Sequence, residues 1–211
     1  MYLQKPLTHH IHETRILGAE AVKAGVTTQM GTQGHSSIET SLAVDLIKSG
    51  AIGKVKEVIC WENKKATWWP KVTERKALAD PVPEHIDWNL WLGVANEVPF
   101  LDGAYHPSMW RSWVDFGVGM MGDMGCHLLD GPFWACGLGE PYKMEAECNE
   151  LTDVSWPKSS HVVFYFKTAK YGEIKLHWYE GSLKPERPAE LEADRDWDKI
   201  KGGKFETVTF R

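Results

Sequence analysis

Residues 142–148, 161–166 and 173–179 read as three strands in succession, with no helical pattern between them. Strands joined without crossover helices pair antiparallel, so this third of the chain predicts an antiparallel sheet. Residues 205–210 read as one more edge strand. The first third has a different rhythm. Thr8 can cap a helix over residues 8–23 that Gly25 stops, and residues 26–30 read as a short strand ended by Gly31. Ser36, with Glu39 three residues on, has capping-box spacing. The helix behind it sets Leu42, Ala43, Leu46 and Ile47 on one face as far as Gly50. Residues 54–62 alternate as a strand, with Val55, Glu57, Ile59 and Trp61 on one side, and residues 122–136 form a second helical block. The order predicts an α/β chain of the α+β kind: an open, mainly antiparallel sheet with helices on one face.

Two stretches escape this pattern. Residues 63–118 lack periodicity and are punctuated by Pro70, Pro81, Pro83, Pro99 and Pro107; a long irregular excursion usually serves a function such as covering a site. Residues 181–204 are charged and proline-bearing, as in a surface or disordered segment.

Composition narrows the partners. An apolar share of 43% with 25% charged residues is that of an ordinary globular protein, and a net charge of -5 offers no basic face for nucleic acid. No apolar run reaches membrane-spanning length, and the N-terminus lacks the apolar segment of a secretory signal. Cys60, Cys126, Cys136 and Cys148 have no C-x-x-C spacing and sit in apolar contexts. Reduced buried thiols of that kind fit a cytoplasmic protein. The 11 tryptophans, with Trp88, Trp91, Trp110 and Trp113 close in sequence, either seat a carbohydrate ring on their flat faces or pack a core or interface.

Gly122-Asp123-Met124-Gly125-Cys126-His127 carries the strongest chemical signal. Four residues advance a helix by roughly 400°, so Asp123 and His127 share a face. Histidine exchanges protons near neutral pH, and a neighbouring carboxylate can orient it. The pair reads either as a general-base unit or as a helix cap with a structural histidine. Residues 117–122 spell G-x-G-x-x-G, but residues 111–116 before them are charged and aromatic rather than a buried strand, and an antiparallel series follows. They predict a turn that lets backbones pack closely, not a dinucleotide fingerprint. His9, His10 and His12 come without H-E-x-x-H or a cysteine pair, so no metal site is expected. Lys5 before Pro6, and Gln33 and His35 around Gly34, stand at turns, where ligands often bind.

Taken in order, Lys5-Pro6-Leu7-Thr8, the turn Gln29-Met30-Gly31-Thr32-Gln33-Gly34-His35 and the Gly122–His127 stretch resemble the Gfo/Idh/MocA family of NAD(P)-dependent sugar oxidoreductases (glucose-fructose oxidoreductase, inositol dehydrogenase, rhizopine catabolism). Ala51-Ile52-Gly53-Lys54-Val55, Asp87-Trp88-Asn89-Leu90-Trp91-Leu92-Gly93 and Trp110-Arg111-Ser112-Trp113 add to the resemblance, which covers residues 1–185. Gln4 stands where the family carries a glutamate. The resemblance implies that residues 1–35 are the C-terminal end of a Rossmann dinucleotide-binding domain. Residues 36–211 would be a substrate and oligomerisation domain, shortened at its end. The phosphate-binding glycines would lie outside the chain, an incomplete copy inactive alone.

By the same resemblance, hydride passes between NAD or NADP and a secondary hydroxyl of a sugar or cyclitol. His127 takes the hydroxyl proton, Asp123 orients it or binds a neighbouring hydroxyl, and Lys5 stabilises developing alkoxide. Cofactor contacts are implied for Lys5, Pro6, Gln33, Trp110 and Arg111. Substrate contacts are expected from His35, Tyr105, His106, Asp123 and His127. Two alternatives stay open: a cofactor-independent carbohydrate-binding or interaction module, and an NAD-dependent glycoside hydrolase or lyase. An exposed apolar sheet face predicts a homo-oligomer.

Overall fold

The computed structural model describes residues 1–62, 79–187 and 189, and the backbone of residues 206–210. Pro70, with the first part of the irregular excursion, and most of residues 181–204 lie outside the described residues.

The chain opens with a βαβ unit. Strands β1 (Tyr2–Leu3) and β2 (Gln29–Met30) pair in parallel, and parallel neighbours need a crossover, which helix α1 (Ile11–Ala24) supplies. The helix starts later than Thr8, whose hydroxyl is instead bonded to that of Thr14 at 2.6 Å. Glu13 is the residue that ties down the start, accepting from the backbone N–H groups of His9 and His10 at 2.8 and 3.0 Å. The end is as expected: Gly25, at φ +62°, returns its N–H to the carbonyls of Ala21 and Val22. No residue of α1 is buried.

A 3-10 turn, Gln33–Ser36, leads into α2 (Ile38–Ser49). Because Ser36 belongs to that turn, the cap falls one residue later, where Ser37 Oγ accepts from the Thr40 N–H at 3.1 Å. Strand β3 (Glu57–Glu62), short helix α3 (Trp88–Leu92), helices α4 (Gly119–Leu128) and α5 (Asp130–Cys136), and strands β4 (Lys143–Asn149), β5 (Ser159–Thr168), β6 (Gly172–Glu180) and β7 (Glu206–Phe210) follow. The expected single helix over 122–136 is thus two. Pro132, in the first turn of α5, lacks an N–H and its ring would collide with the carbonyl four residues back, so α4 cannot run through it.

The five strands form one sheet in the order β4-β5-β6-β3-β7. The predicted strands pair antiparallel, β4 with β5 and β5 with β6, and β7 lies antiparallel at the edge. Only β3 runs parallel to its neighbour β6, among the described residues. Strand β3 was expected to alternate, yet it is buried on both sides, because it sits inside the sheet between β6 and β7. Helices α2, α4 and α5 cover one face. Val44 and Ile47, Met120, Met124 and Leu128, and Ala135 there pack on Val58, Phe166, Ile174, Leu176 and Trp178.

The other face of β4–β6 is polar rather than apolar, which removes the stated basis for an oligomer through it. Glu147, His161, His177 and Glu57 make a row across four strands. Their successive contacts are Glu147 Oε1 to His161 Nδ1 at 2.9 Å, His161 Nε2 to His177 Nδ1 at 3.0 Å, and His177 Nε2 to Glu57 Oε1 at 3.0 Å. Trp88, Trp91 and Trp113 settle into a second core with Leu92, Val98 and Leu101. Trp88 stacks on Trp91 at 4.7 Å. The indole N–H groups of Trp88 and Trp113 are used on the carbonyls of Val98 and Ala104, both at 2.8 Å, so these rings are structural.

Candidate active site

Residues from the opening turn, from a 3-10 turn (Met109–Ser112) and from α4 converge on Asp123. The glycines of 117–122 make the approach possible. A Cβ on Gly117 would lie 2.3 Å from the Arg111 carbonyl oxygen, and Gly119 takes φ +67° with the Trp156 ring 2.9 Å from where its Cβ would stand. These glycines let α4 begin hard against the Trp110–Trp113 segment, as expected of a close-packing turn. The Gly117 carbonyl, which only accepts, is met by Trp156 Nε1 at 2.8 Å and His9 Nε2 at 2.9 Å. That second bond ties the start of α1 to the start of α4.

Asp123 is buried. Its Oδ1 accepts from Lys5 Nζ at 2.7 Å and from Arg111 Nε at 2.9 Å, and Lys5 also donates to the Asp123 main-chain carbonyl at 2.7 Å. A buried carboxylate is tolerated when it is paired and hydrogen-bonded, and two cations here outnumber one anion. The guanidinium of Arg111 lies 4.7 Å from the Trp110 ring. Pro6, Trp110, Arg111 and Asp123 pack around a crevice too narrow to admit a water molecule, and the Lys5–Pro6 peptide is cis. An excess of fixed positive charge suits an oxygen that gains negative charge.

His127 lies one turn further along α4, as the spacing requires, but lines a different cavity. That cavity holds about 350 Å³ between α2 and the α4–α5 corner, with Gly34, Glu39, Thr40, Ile47 and Asp130 among its walls. The hydrogen bonds described for Asp123 go to Lys5 and Arg111.

The remaining expected residues are placed as follows. His35 stands in the 33–36 turn beside exposed Gln33, paired with Asp130 and stacked on Trp134. His106 is exposed. Tyr105 is only 1% exposed and packs against Trp88, Trp113 and Phe116. It is a core residue and not a substrate contact. Asp130 and Trp134 were missed by the sequence reading, although Asp130 stands three residues after His127 and Trp134 four after Asp130, the spacings that share a helix face.

Cys126, whose thiol donates to the Asp123 carbonyl at 3.5 Å, is pushed up from the ordinary thiol value by burial, with the Lys5 ammonium opposing. Burial likewise raises Cys136 to about 11 and raises Cys60. None of these three is a ready thiolate. Among the described residues no group of three His, Cys, Asp or Glu could hold a metal ion, and no helix is long and apolar enough to cross a membrane.

The helix-backed, mainly antiparallel sheet has the architecture of an oxidoreductase C-terminal α/β domain. The family model of that description matches residues 38–158, and the chain belongs to the Gfo/Idh/MocA oxidoreductase family. Many solved structures share the fold, among them the following three. The WlbA dehydrogenase from Bordetella pertussis, in complex with NADH and UDP-GlcNAcA, is 13% identical, with 88% of this chain and 45% of that one covered and a TM-score of 0.55. A super-repressor mutant of Gal80p from Saccharomyces cerevisiae is 14% identical, with coverage of 87% and 42% and a TM-score of 0.54. An oxidoreductase from Sinorhizobium meliloti is 14% identical, with coverage of 88% and 39% and a TM-score of 0.54. The chain spans less than half the length of each. No curated protein matches it in sequence.

Proposed function

We propose that this chain supplies the substrate side of an NAD(P)-dependent oxidoreductase that interconverts a secondary hydroxyl of a sugar or cyclitol and its ketone. On this reading residues 1–35 end a dinucleotide-binding domain and residues 36–211 form the substrate domain. The observation that carries it is the meeting of Lys5 with Asp123 and Arg111, one helical turn before His127.

Lys5, Pro6, Gln33, Trp110 and Arg111 would hold the nicotinamide end. The fit is supported by the flat Trp110 face backed by Arg111 and by Thr32 Oγ1. This buried hydroxyl beside Gln33 has no partner among the described residues, so a polar ligand group would satisfy it. A nicotinamide, when bound, accepts or supplies hydride at the carbinol carbon. The chain's own residues do the rest. His127 takes the hydroxyl proton on a ring nitrogen during oxidation and returns it during reduction. Lys5, held by Asp123 one helical turn before His127, would stabilise the oxygen as it becomes alkoxide-like if the substrate reaches from the His127 cavity to its ammonium. Asp123 and Arg111 keep the ammonium in place, so that little reorganisation is needed when charge develops. The complex of WlbA with NADH and UDP-GlcNAcA supports this choice of cofactor and substrate class.

The occurrence of the same fold in a Gal80p super-repressor favours a second reading, a ligand-binding module without net turnover. One assay separates the two. The intact gene product is tested for NAD(P)H formation or consumption with sugars, cyclitols and their ketones. Turnover that falls at least about 100-fold in His127→Ala is expected. Sugar binding without turnover, unchanged in His127→Ala, supports the module and ends the first reading.

A further inference from the structure

His9 ties the opening βαβ unit to the helix that carries Asp123 and His127. Helix α1 has no buried residue, so its own packing cannot hold that unit against the sheet domain. His9 follows Lys5 in the same opening turn, and its ring reaches the Gly117 carbonyl 108 residues away. That carbonyl is a fixed point. The Gly117 N–H donates to the Trp113 carbonyl at 2.8 Å, Trp156 Nε1 donates to the oxygen that His9 meets, and the Arg111 backbone leaves no room for a Cβ there. Gly119, just beyond, begins α4.

The partners of the His9 ring dictate where its hydrogen sits. A carbonyl only accepts, so Nε2 carries the hydrogen, and a neutral imidazole has only one. Nδ1 is then a lone pair, and it faces His10 Nε2 at 3.0 Å. That contact needs a hydrogen, which His10 Nε2 must supply. The rings meet edge to face, with centroids 4.3 Å apart and planes 62° from parallel. Glu13 fixes the backbone that bears both, accepting from the His9 and His10 N–H groups. An unconstrained imidazole shifts its hydrogen between its two nitrogens. Here His10 disfavours the tautomer that would turn a lone pair towards the Gly117 carbonyl.

We propose that His9 and His10 are a pair of positioning residues for the reaction. His10 holds His9 in the Nε2–H tautomer, and His9 locks the Lys5 turn to the start of α4, which sets how the Lys5 ammonium stands towards His127. Neither imidazole touches the reacting atoms. Groups that act together must be closely placed, and a shift of about 1 Å costs about 100-fold in rate. The inference rests on the proposed function and goes beyond it, naming what keeps the two halves of the site in register.

Imidazole 15N NMR and variant kinetics test it. The parent protein should show His9 with a hydrogen on Nε2 and none on Nδ1, and His10→Ala should show a mixture of both tautomers. A parent carrying the hydrogen on Nδ1, or an unchanged His9 in His10→Ala, overturns the proposal. His10 is exposed, so this arm stands even where His9→Ala fails to fold. With the sugar or cyclitol turned over fastest, His9→Ala should lower kcat about 10–100-fold and leave KM within about threefold, since alignment serves the chemical step more than binding. His9→Gln, which can place an N–H where Nε2 stood, should recover most of that loss. An undiminished kcat in His9→Ala, or a loss that His9→Gln does not repair, contradicts the positioning role while leaving hydride transfer intact. If the parent turns over no sugar or cyclitol, hydride transfer falls. The spectra then still decide the tie: loss of the single tautomer in His10→Ala supports it, and no change sinks it.

Discussion

At the scale of single residues, Asp123 shows how a buried carboxylate takes its position from cations distant in sequence. Lys5 and Arg111 share one of its oxygens, and removing either takes a charge-assisted hydrogen bond from a buried carboxylate. Lys5→Met is expected to lower stability by about 1–3 kcal/mol, measured by urea unfolding, and to slow turnover more than it weakens substrate binding. An unchanged unfolding midpoint would contradict the pairing. Gly117→Ala should cost about 1–3 kcal/mol or more, because its Cβ must push on the Arg111 backbone rather than on a flexible side chain. The Asp123–His127 spacing and the Lys5–Pro6 turn were legible in the sequence, since local periodicity and turn chemistry carry them. The pairing of Asp123 with Lys5, and of Asp130 with His35, was not. Partners 118 and 95 residues apart are chosen by tertiary packing, which leaves no local pattern.

At the scale of elements, the strands and helices were legible as types, and their ends were set by chemistry the pattern does not show. Glu13 displaced Thr8 at the start of α1, and Pro132 divided α4 from α5. The row across the outer sheet face brings a prediction of its own. His177 faces Glu57 on β3, His161 and, through it, Glu147, with Lys175 and Tyr179 beside it on β6. Burial above all, with His161 and Lys175, holds its imidazole below the ordinary 6.5, and Glu57 opposes the shift. The unfolded chain therefore binds this proton first as pH falls, so stability declines from the ordinary value down to the folded state's lower one and is intact above that window. Thermal midpoints from about pH 7.5 to about pH 5 should drop less steeply in His177→Gln than in the parent. Identical slopes would show that the row contributes nothing.

At the scale of the molecule, a small parallel βαβ unit and a larger helix-backed sheet are joined at Lys5–Asp123, at His9–Gly117 and at the 33–36 turn. The antiparallel series was legible because it is consecutive. The placement of β3 was not, since Glu57 finds its parallel neighbour at Lys175. The fold is shared with a dehydrogenase and with a super-repressor, so the chemistry must be argued from the site. If the site is used as proposed, NADH and the preferred polyol together should raise the thermal midpoint. Ligand at 100 times its Kd adds about 2.7 kcal/mol. The rise should shrink in Lys5→Met, and an equal rise there would separate ligand binding from the Lys5 cluster.

The most direct measurement follows a deuterium atom. A cyclitol labelled at the carbinol carbon is incubated with the intact protein and oxidised nicotinamide cofactor, and the reduced nicotinamide is examined by mass spectrometry. Label in the nicotinamide ring, with its rate of appearance cut at least about 100-fold in His127→Ala, is the predicted result. A cyclitol that binds saturably yet keeps its deuterium would contradict it.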